Sequence, residues 1–81
     1  MNEKEWNSLE NLMDELIEGQ QTLLLKCARR VIPHLTDEDL LQPNDFPELE
    51  NHSVFRYEEG VLSGLQSMRM ALRAWQKNSL S

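Results

Sequence analysis

Between Val54 and Lys77 the sequence carries two stripes at helical spacing, one of large residues and one of small. A helix built this way needs neighbours on two sides. Val54, Val61, Leu65, Met68, Leu72 and Trp75 recur at intervals of three, four or seven, with Glu58 in the one missing step. Gly60, Gly64, Ser67, Ala71 and Ala74 follow at intervals of four and three. How close two helices come depends on the side chains between them, so this thin face invites a close partner. Phe55 and Leu62 extend the apolar side, and the periodicity predicts one helix over about residues 53–77.

The first part of the chain has the same period. Trp6, Leu9, Met13, Leu16, Gln20, Leu23 and Cys27 step by three and four, as the a and d positions of a heptad do. Ile17, Leu24 and Val31 lie on one side of that seam and Leu12 on the other. Three apolar positions per heptad suit a bundle, where each helix touches two others. A helix over about residues 3–32 is predicted. Pro33 ends it, because the residue before proline avoids helical geometry. Gln20 in the seam reads as a core amide that fixes register. Cys27, the one cysteine, reads as a small buried hydrophobe.

The connector, residues 33–52, is long for a link between helices. Thr36 and Asp39 have the form of a capping box ahead of a helical turn at about 37–41, and Pro47–Glu50 suggests one more. Leu35, Leu40, Leu41, Phe46 and Leu49 are too many hydrophobes for a free linker, so an ordered connector is expected. Asn51 or Ser53 can cap the second helix.

Charge alternates along the chain: net −5 over residues 1–18, +3 over 19–35, −7 over 36–60 and +3 over 61–81. Folded as an antiparallel hairpin, each acidic block faces a basic one, and Trp6 and Trp75 come to one end. Glu58 lies on the seam, where a buried carboxylate needs a partner, and Arg29 or Arg30 is expected to supply it. The polar tail, residues 76–81, is expected to fray.

The expected fold is therefore all-α: one domain over residues 1–81, an antiparallel hairpin of two long helices with an ordered connector. A lone hairpin leaves Ile17, Leu24, Val31 and the small stripe Gly60, Gly64, Ser67, Ala71 and Ala74 in water. Patches of that size mark interfaces. The simplest completion is a twofold homodimer forming a four-helix bundle. The rival is a helix from a different protein in the same groove.

These features point to a protein–protein interaction module: an adaptor, assembly factor or chaperone-like protein. No catalytic motif, cofactor or metal signature is present, so no enzyme activity is expected. The alternative is an all-α metal-binding protein or enzyme, with a site near the connector made by His52, Arg56, Tyr57, Glu58 and Glu59 together with connector carboxylates. A net charge of −6 with eight Lys and Arg argues against nucleic acid. No apolar run approaches the ~18 residues of a membrane span. The charged start, MNEKEW, lacks the apolar core of a signal peptide, and a single cysteine suits a reducing compartment, so a cytoplasmic location is expected.

Overall fold

The computed structural model describes residues 1–79. Two long helices, α1 (Glu3–Val31) and α3 (Ser53–Ser79), pack side by side as an antiparallel hairpin 46 Å long. Between them lie two 3-10 turns (Asp39–Leu41 and Pro43–Asp45) and the single turn α2 (Pro47–Glu50). Among the described residues there is no strand.

Each boundary has a local cause. Asn2 Oδ1 accepts from the Glu5 N–H at 2.7 Å, and Glu5 Oε1 accepts from the Asn2 N–H at 3.3 Å, a reciprocal cap that starts α1. Acids in its first turn and Arg29 and Arg30 in its last oppose the helix dipole. Ile32, before Pro33, turns extended at φ −128° and ψ 91°, and α1 ends. Gly19 does not interrupt the helix. Thr36 and Asp39 exchange side-chain and backbone bonds at 3.0 and 3.3 Å ahead of the first 3-10 turn. Arg29 Nε donates to the Leu35 carbonyl at 2.8 Å, tying the start of the connector to α1.

The start of α3 differs from expectation. His52 takes the capping role, its Nδ1 accepting from the Phe55 N–H at 3.3 Å, while Asn51 Nδ2 donates back to the Pro47 carbonyl. The far end differs too. Helix α3 runs through Ser79, because the tail from Gln76 to Ser79 has no Gly or Pro to stop it. The expected fraying of Leu80 and Ser81 lies outside the described residues.

The core sits at the connector end. Leu24, Cys27, Ala28 and Ile32 of the first helical stretch meet Leu35, Leu49 and Phe55, with Val31, Leu40, Phe46 and Leu62 packed around them. Leu49 and Phe55 are fully buried. Toward the open end only Trp6, Met13 and Ile17 are buried among the described residues, all from α1. Phe55 is the one buried residue of α3.

The seam of α1 is rotated from the expected one. Ile17 and Leu24, placed on an uncovered side by the heptad reading, are buried at 3% and 6% exposure, and Val31 packs against the core. Leu16 and Leu23, expected in the seam, are about half exposed, as is Leu12. The buried set Trp6, Met13, Ile17, Leu24 and Ala28 repeats every eleven residues. Eleven residues in three turns is 3.67 per turn, closer to a straight helix than the 3.5 of a heptad. Trp6 is buried, while Trp75 stays half exposed.

Candidate functional site

The hairpin has two broad sides. On the first, the exposed apolar residues of both helices merge. Leu16 of α1 and Met68 of α3 line a shallow dimple with Met13, Ile17 and Leu65. Leu12 and Leu23 lie beside Leu16 at helical spacing, and Val54, Val61 and Trp75 continue the line of Met68. Beyond Met68 the small stripe turns outward. Gly60, Gly64, Ser67, Ala71 and Ala74 are all exposed, and a Cβ placed on either glycine would meet nothing within 4 Å. At 100° per residue Arg56 falls in line with Ala74 at the edge of the small stripe, and the other charged residues of α3 fall elsewhere. Glu58 and Arg69 face α1, and Glu59, Arg73 and Lys77 lie toward the opposite side. From Tyr57 to Trp75 the outward half of α3 is free of charge.

Within the margin of this side sits a polar clasp. Gln20 Nε2 donates to Glu58 Oε2 at 2.6 Å and to the Glu58 carbonyl at 3.1 Å. This replaces the expected ion pair of Glu58 with Arg29 or Arg30. The register of the hairpin puts the seam amide, and not the end of α1, beside the carboxylate. Arg29 is committed to the Leu35 carbonyl, and Arg30 lies exposed. Gln20→Ala should cost about 1–2 kcal/mol by leaving a half-buried carboxylate without its donor. Urea unfolding followed by circular dichroism measures it, and an unchanged midpoint would show the clasp to be idle.

The second side is charged. Arg69 Nη1 meets Asp14 Oδ1 at 3.0 Å, and Arg73 Nε meets Glu10 Oε2 at 3.1 Å. These pairs fasten the open end of the hairpin, the outcome that the alternating charge blocks favour. Toward the connector the same side opens into a groove of about 920 Å³, lined by residues of α1, α3 and the connector, including Leu25, Leu40, Leu41 and Leu62.

The connector candidates do not converge. His52 is engaged in capping, Arg56 pairs with Glu59 at 3.1 Å one turn on, and Tyr57 points outward at 70% exposure. Among the described residues, no three His, Cys, Asp or Glu side chains gather where they could hold a metal ion. Nor is any helix long and apolar enough to cross a membrane.

Sequence reasoning missed Leu12, Leu16 and Leu23 as surface residues and the groove built by Leu25, Leu40, Leu41 and Leu62. Leu25 and Leu62 stand beside the seams in the sequence, but nothing in their spacing announces that the connector arches over them. Compared with known protein families, curated proteins and solved structures, the chain matches none.

Proposed function

We propose that this protein is a small interaction module that works by helix-to-helix association, first with a second copy of itself. One observation carries the reading: α3, 27 residues long, has a single buried residue and an outward half that is free of charge from Tyr57 to Trp75 and bears Tyr57, Met68 and Trp75. Exposed apolar surface of that extent on a chain this short calls for cover. Two hairpins related by a twofold axis would bring these halves together, with Leu12, Leu16 and Leu23 alongside, as a four-helix bundle.

Size favours the pairing. A side 46 Å by 19 Å offers a footprint of about 870 Å² at most. A standard stable interface covers roughly 800 Å² per partner. The small stripe lets the backbones close up, and a hetero-partner helix would use the same surface. The free, buried Cys27 fits a cytoplasmic setting for such an adaptor.

Light scattering on the eluting protein tests this. A dimer has twice the 9.5 kDa chain mass, 19 kDa, and is expected at tens of micromolar. A single-chain mass at every concentration would overturn the reading.

A further inference from the structure

The groove on the charged side has a different character from the apolar side. Its apolar lining comes from Leu24 and Leu25 of α1, Leu62 of α3, and Leu40, Leu41 and Pro43 of the connector. Leu41 is the most exposed large hydrophobe among the described residues, at 81%. It lies in a 3-10 turn whose backbone bonds hold it at the groove, Leu41 N–H to the Glu38 carbonyl at 3.1 Å. A leucine held in water by an ordered turn has nothing of its own chain to cover it.

The rim is acidic. Glu18, Asp37, Glu38 and Glu59 line the groove, and no Lys or Arg does. Glu59 is paired with Arg56, whereas Glu18, Asp37 and Glu38 have no ion-pair partner among the described residues. From Val31 to Phe55 the chain holds six Asp and Glu and no Lys or Arg. The protein's own basic residues thus leave this rim uncompensated.

We propose that the groove is a docking site for a basic amphipathic helix of another protein, leucine-like side chains inward and Lys or Arg toward the rim. The lining runs from Glu18 to Leu25 on α1 and from Glu59 to Gln66 on α3, about 10 Å along each, so about two turns of a docked helix sit in the groove. The groove runs between two antiparallel helices with the connector across one end, so a helix lies along it as a third ridge. This surface is opposite the side used for self-association, and the two assignments stand or fall separately.

The probe is an 18-residue peptide of Leu and Lys with leucines at three- and four-residue spacing, titrated into the full chain. Binding in the micromolar range is expected, with amide shifts concentrated at Leu25, Leu40, Leu41 and Leu62. A scrambled peptide of the same composition should bind at least tenfold more weakly. Leu41→Ser, and separately Asp37→Asn with Glu38→Gln, should each weaken binding about tenfold. Glu3→Gln with Glu5→Gln removes the same charge at the other end and should change it less than twofold. All altered positions are exposed, and circular dichroism confirms that each variant is folded. Three results would overturn the proposal: equal binding of the scrambled peptide, equal loss in the remote variant, or groove signals that move on dilution without peptide. The last would make a second copy the occupant.

Discussion

Replacing Phe55 with alanine should remove about 3–5 kcal/mol of stability, the largest loss expected from any single truncation in this chain. Phe55 opens α3 and is fully buried where α1, the connector and α2 converge. Its neighbours Leu24, Ala28, Leu35 and Leu49 come from three different stretches of sequence: α1, the connector and α2. Those backbones are held by helix ends and tight turns, so they cannot close over a phenyl-sized hole. A chain of 81 residues has on the order of 4–12 kcal/mol to lose. The variant should therefore melt tens of degrees lower or be partly unfolded at room temperature. Thermal unfolding by circular dichroism measures this. Leu41→Ala is the control, since truncating an exposed leucine typically changes stability by less than about 0.5 kcal/mol. If Phe55→Ala melted within a few degrees of the parent, the connector would not be part of the core.

If the proposed dimer forms, introducing lysine at both Leu16 and Met68 should convert it to a folded monomer. The two residues flank the same dimple on the apolar side, one from each helix. Both are half exposed within a single chain, so long lysine stems can reach water there. In a twofold interface the same substitutions place four ammonium groups between apolar surfaces. Each unpaired buried charge costs several kcal/mol. Dissociation should weaken the dimer more than a hundredfold, read by light scattering across a dilution series. Helix content should stay near that of the parent. An unchanged dimer mass would move the interface off this side of the hairpin.

The hairpin itself was legible because its causes are local. Three- and four-residue spacing marks the helices, Pro33 marks the stop, and charge blocks of opposite sign favour the antiparallel return. The Thr36–Asp39 pair could be read as a turn-starter from two residues alone. The rotation of α1 about its axis could not. Leucine or isoleucine stands at positions 9, 12, 16, 17, 23, 24 and 25, so the apolar arc is far wider than one contact face. What selects the inward residues is the other end of the hairpin, where Cys27, Ala28 and Ile32 must meet Leu49 and Phe55. That demand sets the whole helix, and Leu16 and Leu23 turn outward with it. The same dependence hid the Gln20–Glu58 clasp and the groove beneath Leu41. Both require the register of one helix against the other, which no pattern within either helix contains.

Burial in this molecule is lopsided, dense around Leu49 and Phe55 and thin beyond Ile17. Mechanically that makes a pair of tongs: a firm pivot, two arms of about twenty ångströms beyond Ile17, and ionic clips partway along them. Arms of this kind can part by a few ångströms while the pivot stays shut, so whatever grips them can adjust their spacing without first undoing the fold.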